Sequence, residues 1–464
     1  MKRRIAYVVA DYLSTIVGVM VFTVVRFAFI PDLRERFSGL WRFFFTPGLK
    51  LTMALFPLFM LGIYYLSGYY ANVRVKSRMT EFLSTGACVA VGSVCFFMVV
   101  LLNDVLPRRV LNYEILLVFF GCLFVPVYLT RFCLTTYYIS CRRREGMERV
   151  AVITDEATDV GEIASAIRRS GMELGGVVRL PAGMECGDGD GDEPFPDRLR
   201  RQLGGLEADS FAVALTSERA SLFLGVLGGL YPLDRPIYVK PDDYTMLVSK
   251  VTYDNLLSEP LMDVSRSPLP DSIMSMKRAA DVCCALAGLL IVSPVIAVLG
   301  VMVKAGSEGP VFYSQERVGY HRKPFRIYKL RTMTVDAEKD GPALSADDDP
   351  RVTPVGRFMR KYRLDELPNL WNVLRGDMSL VGPRPEREYY LSQLRERAPY
   401  SALLHQVRPG LTSLGMVKFG YASSLDDMLL RLKYDLLYIQ NISLSLDLKV
   451  VFYTVRTILR GEGK

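Results

Sequence analysis

Histidine is almost missing from this chain: His321 and His405 are the only two among 464 residues. A His-rich metal site and a Ser-His-Asp hydrolase both need histidines that can be brought to one place, so neither is expected. The eight cysteines form no C-x-x-C pair and no regular spacing, several lie inside apolar runs, and Cys283 and Cys284 are adjacent. That excludes a zinc ribbon or a disulfide framework as the organising device and fits a reducing, cytosol-facing location. Carboxylates must then carry most of any acid chemistry. A cleavage site is also lacking: Lys2, Arg3 and Arg4 precede an apolar run from Ile5 to about Phe27 that resembles a signal peptide, but no small-residue site follows and the run is long enough to span. It reads as an anchor.

Two further absences lie in the middle of the chain. From Arg149 a short apolar run, VAVIT, is followed by a helical pattern with Val160, Ile163, Ala164 and Ile167 on one face, then by GGVVRL. FAVAL at 211 to 215, a helix-like segment after Thr216 and PIYVK at 236 to 240 continue the alternation, giving a small α/β domain with a parallel sheet. The turn after its first strand reads TDEATD, however, where close approach to a pyrophosphate would need glycines, so no nucleotide is expected there. The acidic run from Asp188 to Glu193 lacks the sixth-position glycine and twelfth-position glutamate of a calcium loop; it reads as a solvated loop. Three prolines between residues 260 and 272 mark a linker.

What the chain does have is apolar length and positive charge. It is half hydrophobic, carries a formal charge of +8 and has a positive mean hydropathy. Runs at about 5 to 27, 49 to 70, 82 to 102 and 113 to 133 are each near the ~20 residues that a bilayer requires, giving four spans. Basic segments at Lys2 to Arg4, Arg74 to Arg78 and Arg142 to Arg144 fall on one side, against Arg34, Arg36, Arg42, Arg108 and Arg109 on the other. The bias places both ends of the four-span region in the cytoplasm. Asp11 lies inside the first span; it is either a functional intramembrane acid or a residue near the interface or facing another helix.

A fifth apolar stretch, Val282 to Val303, contains Ser293-Pro294. Proline removes a helical hydrogen bond and clashes with the preceding turn, so the stretch either spans straight or bends there and returns. The dense positive charge of Arg317, Arg322, Lys323, Arg326, Lys329 and Arg331 favours the return. Phe312 to Met333 reads as two strands around a Gly-Tyr-His-Arg-Lys-Pro turn, with Phe325, Ile327, Lys329 and Arg331 on one face. That face is a solvated basic edge or a surface for phosphate or lipid headgroups. Arg363 to Pro385, RLDELPNLWNVLRGDMSLVGPRP, packs two adjacent acids, a helical repeat of Leu367, Leu370, Trp371 and Leu374, a stop at Gly376 and an arginine, Arg384, between two prolines. Asp365 reads equally well as an N-cap and as a catalytic carboxylate with Glu366 beside it. Arg408-Pro409-Gly410 repeats the device of an arginine held by a turn, and Leu444 to Arg460 has the pattern of an interfacial helix.

These motifs carry a family resemblance. KRAAD at 277 to 281, Ser293-Pro294, GPVFYSQERVG at 309 to 319, FRIYKLRTM at 325 to 333, RLDELPNLWNVLRGDMSLVGPRPE at 363 to 386 and RPGLTS at 408 to 413 together resemble the monotopic phosphoglycosyl transferases of bacteria, over about 274 to 460 and in the right order. The whole chain looks like the large members that initiate exopolysaccharide, capsule or O-antigen units. The resemblance implies transfer of a sugar-1-phosphate from a UDP-sugar to undecaprenyl (polyprenyl) phosphate with release of UMP. Asp365 matches the family's nucleophile and Glu366 the second member of the dyad, with Mg2+ as cofactor at those two carboxylates. Arg360 and Arg384 match arginines that hold phosphates or the nucleotide; Lys329, Arg331 and Arg408 are added to that set from their basic strand and turn. Ser293-Pro294 matches the break of a re-entrant helix. Ser413 and Leu414 depart from the Gly and Trp of many relatives.

The expected fold is therefore an α+β membrane protein: a four-helix transmembrane bundle (1–140), a Rossmann-like α/β domain (148–260), a linker (261–273) and a catalytic domain (274–464) on a re-entrant helix at about 277–304. Its place is the inner membrane of a bacterium with the catalytic domain on the cytoplasmic face. The bilayer, the UDP-sugar and the lipid phosphate are the expected partners, a homodimer is a guess from architecture, and no nucleic acid is expected because no recognition module is present. Galactose or glucose is the first choice of sugar. The competing class is a non-catalytic scaffold or regulator of polysaccharide export, which would have no need of Asp365, Glu366 and Arg384; a polytopic transferase would need many more spans.

Overall fold

The structure, a computed structural model, describes residues 2–71, 78–103, 109–145, 147–156, 158–169, 172–181, 199, 201–203, 208–215, 220–230, 233, 235–240, 262–264, 270–335, 337, 349–420 and 424–461. The acidic run at 188 to 193 and, in the linker, residues 261 and 265–269 lie outside the described residues. Residues 1–146 with 269–279 form one compact unit, and residues 147–268 with 280–464 form a second.

In the first unit α1 (Lys2–Phe29) is followed by two short helices, α2 (Pro31–Arg36) and α3 (Leu40–Phe44), then by α4 (Pro47–Leu66), α5 (Arg78–Asn103) and α6 (Arg109–Glu145). The long helices share one core, in which Tyr7, Val19 and Phe22 meet Phe56, Met60 and Tyr64, Cys88 and Val89, and Phe119, Leu123 and Val127. Their other faces keep Leu13, Leu55, Val91 and Leu129 exposed. Helices apolar on every side need a non-aqueous surround. Five helices among the described residues are long and apolar enough to cross a membrane: α1, α4, the Glu81–Met98 part of α5, the Glu114–Cys141 part of α6, and Asp271–Gly306.

Asp11 faces another helix. Its carboxylate accepts two hydrogen bonds from Arg131 on α6, Nε to Oδ1 and Nη2 to Oδ2 at 2.8 Å each, and one from the Tyr70 hydroxyl at 2.7 Å. Arg131 also donates to Thr85 Oγ1 at 2.8 Å, and its guanidinium lies over the rings of Tyr69 and Tyr64 at 3.5 and 4.2 Å from their centroids. Glu81 accepts from Tyr69 and Thr135 at 2.7 and 2.8 Å. A charge taken out of water is tolerable only when paired and hydrogen-bonded, and here hydroxyls from several elements complete the pairing.

The second unit opens with the α/β domain. β1 (Arg149–Asp155), α7 (Val160–Arg169), β2 (Glu173–Leu180), β3 (Ser210–Ala214), α8 (Ala220–Leu230), β4 (Ile237–Val239) and β5 (Met262–Asp263) build a sheet of order β2-β1-β3-β4-β5. The first four strands are parallel and β5 adds antiparallel to β4. The near-continuous apolar runs of β1 and β3 follow from burial on both faces. Ala151, Ile153, Phe211 and Val213 pack under Leu222, Val226 and Leu230 of α8, while Val150, Val152, Ala212 and Ala214 pack under Ile163 and Ile167 of α7.

The rest of the unit hangs on α9 (Asp271–Gly306), which is helical on both sides of Pro294. Behind it come the hairpin β6 (Phe312–Val318) and β7 (Pro324–Leu330), then α10 (Pro354–Lys361), a 3-10 helix at Leu364–Asn369, α11 (Leu370–Arg375), β8 (Ser379–Val381), α12 (Glu388–Arg397), β9 (Gly410–Thr412), α13 (Leu414–Phe419), α14 (Leu425–Gln440) and α15 (Leu444–Arg460). Ala285 on α9, Ile327 on β7, Leu370 and Val373 on α11 and Met378 form the core that joins them. α15 leaves Leu448, Phe452, Val455 and Leu459 exposed on one face, as its sequence pattern leads one to expect.

Candidate active site

Two asparagines bring the basic hairpin to the paired acids. Asn369 Oδ1 accepts from the backbone N–H of Tyr328 at 2.9 Å, and Asn372 Nδ2 donates to the carbonyl of Arg326 at 2.7 Å. They fix β7 alongside the 3-10 helix and α11, so that Lys329, the residue after Tyr328, reaches the acids. Its Nζ donates to Glu366 Oε1 at 2.7 Å and lies 4.0 Å from Asp365 Oδ2.

Arg384 arrives on a second pair of segments. β8 and β9 run parallel, with Ser379 opposite Gly410 and Val381 opposite Thr412. The turns that follow and precede them pass backbone against backbone: Gly382 donates to Thr412 O and Gly410 to Pro383 O, at 3.0 and 2.9 Å. A Cβ on Gly382 would stand 2.3 Å from the Arg408 carbonyl, and one on Gly410 would stand 2.2 Å from Gly382 N. Only glycine fits either place, and the bracketing prolines then leave Arg384 little backbone freedom. Its Nη2 donates to Glu366 Oε1 at 3.2 Å.

The third cation is Arg363, whose Nη2 and Nε donate to Glu366 Oε2 at 2.5 and 3.2 Å. Burial alone would raise the Glu366 carboxyl, but Arg363, Lys329 and Arg384 outweigh it and hold the group well below the ordinary carboxylate range. Asp365 goes the other way. Burial pushes it up, Lys329 offsets part of this, and the neighbouring charge of Glu366 adds to the rise. Adjacent carboxylates thus differ sharply in basicity because the cations converge on one of them.

The N-cap reading of Asp365 is corrected. The residue that caps the 3-10 helix is Arg363, in the left-handed region at φ 52°, ψ 28°, with no side-chain cap bond. A capping carboxylate must sit in extended backbone ahead of the helix, whereas Asp365 lies within the turn. The six-residue 3-10 helix also supplies no α-helical N-terminus for a phosphate. The helical repeat is corrected in part: Leu370 and Val373 face the core, while Trp371 is 56% exposed. Gly376 does end α11, with φ 97° and its N–H on Asn372 O at 3.0 Å.

The remaining basic residues divide. Arg360 on α10 donates through Nε to Thr332 Oγ1 at 2.9 Å and contributes positive potential at Asp365. Arg331 donates to the carbonyls of Ser307 at 2.9 Å and of Glu308, just beyond the end of α9. Arg408 donates to Gly376 O at 3.0 Å and lies over the Tyr320 ring at 5.5 Å. These contacts tie segments together and do not bring Arg331 or Arg408 into the cluster around Glu366. Ser293 Oγ returns to Leu290 O at 3.1 Å within α9. Two residues not singled out from sequence matter here. Arg363 had its i,i+3 spacing to Glu366 as a signal; Asp281, inside KRAAD, accepts from Ser379 Oγ at 2.7 Å and Leu380 N at 3.0 Å and so ties β8 to α9.

A family model described as bacterial sugar transferase matches residues 272–461. A UDP-N-acetylgalactosamine-undecaprenyl-phosphate N-acetylgalactosaminephosphotransferase of Aeromonas hydrophila is 40% identical over 228 residues, 49% of this chain and 53% of the relative. A UDP-glucose:undecaprenyl-phosphate glucose-1-phosphate transferase of Klebsiella pneumoniae is 38% identical over 217 residues, 46% of this chain and 47% of the relative. Another of that name from Caulobacter vibrioides is 42% identical over 201 residues, 42% of this chain and 74% of the relative. The chain spans about half the length of the first two.

Proposed function

Since the chain belongs to the bacterial sugar transferase family, we propose that it transfers a sugar-1-phosphate from a UDP-sugar to undecaprenyl phosphate. The observation that carries the reading is one buried carboxylate, Asp365, raised in basicity beside a second, Glu366, that gathers three cations. Desolvation makes Asp365 the stronger nucleophile of the pair. Its Oδ attacks the sugar-bearing phosphorus; a P–O bond forms to Asp365 and the bond to the bridging oxygen breaks, so UMP leaves with that oxygen. An oxygen of the lipid phosphate then attacks the same phosphorus, breaks its bond to Asp365 and regenerates the carboxylate, giving undecaprenyl-diphosphate-sugar. Lys329 and Arg384 hold donor phosphate oxygens, and Arg360 adds positive potential at Asp365.

The donor set suits magnesium only as a shared ligand. No group of three or more His, Cys, Asp or Glu that could hold a metal occurs among the described residues. Asp365 and Glu366 would supply the protein's oxygens, and Mg2+ is commonly held by one or two carboxylates together with substrate phosphates. When bound it would neutralise charge developing on the diphosphate. The chain's own cations and carboxylates perform the binding and bond-making above.

For topology, α9 bends at Ser293-Pro294 and returns to the cytoplasmic face of a bacterial inner membrane. Support comes from Pro294 inside the helix and from exposed Leu286, Leu290, Ile291, Val298 and Val301 around it. A cysteine at Ser307 labelled only from outside would exclude this. The activity is tested by UMP release from UDP-glucose, UDP-galactose and UDP-N-acetylgalactosamine in membranes supplied with undecaprenyl phosphate. Turnover surviving in Asp365→Asn would exclude the covalent route, and no turnover with any lipid and sugar pair would exclude the class.

A further inference from the structure

We propose that Arg363 is a positioning residue: it anchors Glu366 through Oε2 while Lys329 and Arg384, both on Oε1, pass to the phosphates of an incoming sugar nucleotide. The inference rests on the transferase reading above and concerns how the cations are shared out. Oε1 takes Lys329 Nζ at 2.7 Å and Arg384 Nη2 at 3.2 Å, whereas Oε2 takes Nη2 and Nε of Arg363 at 2.5 and 3.2 Å. Side-chain exposure follows the same division, 19% for Lys329 and 17% for Arg384 against 8% for Arg363. Two cations stand at the mouth and one stands behind.

A diphosphate offers the outer pair more negative charge than one carboxylate oxygen does, so they can exchange partners without leaving a charge unpaired. Arg363 cannot follow, because a buried carboxylate stripped of every cation is strongly unfavourable. Without Arg363, Glu366 would keep Lys329 and Arg384 for itself and compete with the phosphates. The backbone points the same way. Arg363 holds φ 52°, a conformation costly for a residue with a Cβ, and its carbonyl accepts from Glu366 N at 3.4 Å. Glycine would satisfy that conformation at no cost. The arginine therefore contributes through its side chain, which the left-handed turn folds back onto the third residue after it.

The test separates side chain from backbone. UDP is the probe, its dissociation constant measured on the full-length protein in nanodiscs, with thermal melting of each variant as the check on folding. Arg363→Gly is expected to melt at or above the unmodified protein and to bind UDP about tenfold more weakly. In a Glu366→Gln background the competing charge is gone, so adding Arg363→Gly should change UDP affinity by less than about twofold. Arg363→Lys, which restores one cation to Oε2, should recover most of the affinity. Equal weakening in both backgrounds, or none in either, overturns the inference and leaves the transferase reading standing. A protein that neither binds UDP nor turns over any UDP-sugar brings down both.

Discussion

Two of the buried clusters of acids and arginines among the described residues, one around Asp11 in the first unit and one around Glu366 in the second, are built differently. Around Asp11 and Arg131 charges pair one to one, both side chains are 0% exposed, and the remaining lone pairs and N–H groups go to Tyr70, Thr85 and two aromatic faces. Around Glu366 three cations share one carboxylate, no hydroxyl among the described residues bonds to it, and the outer two cations reach solvent. A closed network of the first kind fixes the relation of helices. The second carries excess positive charge facing outward, as a receptor for anions does. The same residue types therefore give a lock or a site according to stoichiometry and access.

Exchanging the acids sharpens that contrast most. Asp365→Asn should lower turnover by roughly three to four orders of magnitude, with UDP affinity and melting temperature held or improved, because a buried like charge is removed. Asp11→Asn should do the reverse: activity per folded molecule is kept, and the melting temperature falls. Measuring both quantities on both variants decides the matter, and loss of stability in Asp365→Asn equal to that in Asp11→Asn would erase the distinction.

Next in size is the lock itself. Arg131→Leu strands Asp11 and should cost about 3 to 5 kcal/mol. The double variant Asp11→Leu with Arg131→Leu removes both charges and should recover much of that loss, since an apolar pair of similar volume is often neutral. Melting curves of the three variants in one lipid test this. A double variant no better than the single would show that the hydroxyls around the pair, not its charge, hold the helices.

The legibility of these regions in sequence follows from the kind of signal each carries. Helices α1, α4, α5 and α6 and the doubly buried strands β1 and β3 announce themselves by apolar runs, because every face needs an apolar residue. The hairpin β6–β7 and the stop at Gly376 were equally plain, since turn chemistry is local. Arg131 was invisible for the opposite reason: one charge in an apolar run says nothing about the acid 120 residues away that satisfies it. The local pattern of Asp365 fits a cap as well as a catalytic carboxylate, because what surrounds it depends on Asn369 and Asn372 holding a hairpin from elsewhere. Arg331 and Arg408 looked like phosphate ligands, yet backbone carbonyls take their guanidinium groups. Composition reports which charges exist, and only the fold assigns them partners.

A smaller effect should come from Arg384→Lys. It keeps the charge at the mouth of the cluster and loses the planar fork, so the donor KM should rise about tenfold with kcat less affected. The matching exchange Arg131→Lys in the closed cluster cannot keep both bonds to Asp11 and the bond to Thr85. It should therefore lower the melting temperature and leave KM alone. A KM effect from Arg131→Lys would show the two clusters to be coupled.

The last effects concern two groups outside both clusters, the part-buried His405 and the buried Asp435, that titrate in opposite senses and offset each other in the unmodified protein. Burial, helped by Arg322 and Arg395 and opposed by a hydrogen bond with Gly319, lowers His405 to about 4. Against an ordinary value near 6.5, the unfolded chain binds the extra proton between about pH 4 and 6.5, so this contribution to stability grows with pH across that window and is lost as pH falls. Burial pushes Asp435 up to about 6, with Arg431 and the N–H of Gly415 opposing. Here the folded chain binds the extra proton between about pH 3.9 and 6, so stability falls as pH rises through that window. Each slope amounts to roughly 3 kcal/mol over its range, and between about pH 4 and 6 the two cancel. The unmodified protein should therefore show little pH dependence from this pair. Asp435→Asn should uncover melting temperatures that climb from pH 4.5 to 6, and His405→Gln should uncover ones that decline. Above about pH 6.5 all three curves should run parallel. Matching slopes in the two variants below pH 6 would mean that neither group titrates as its surroundings dictate.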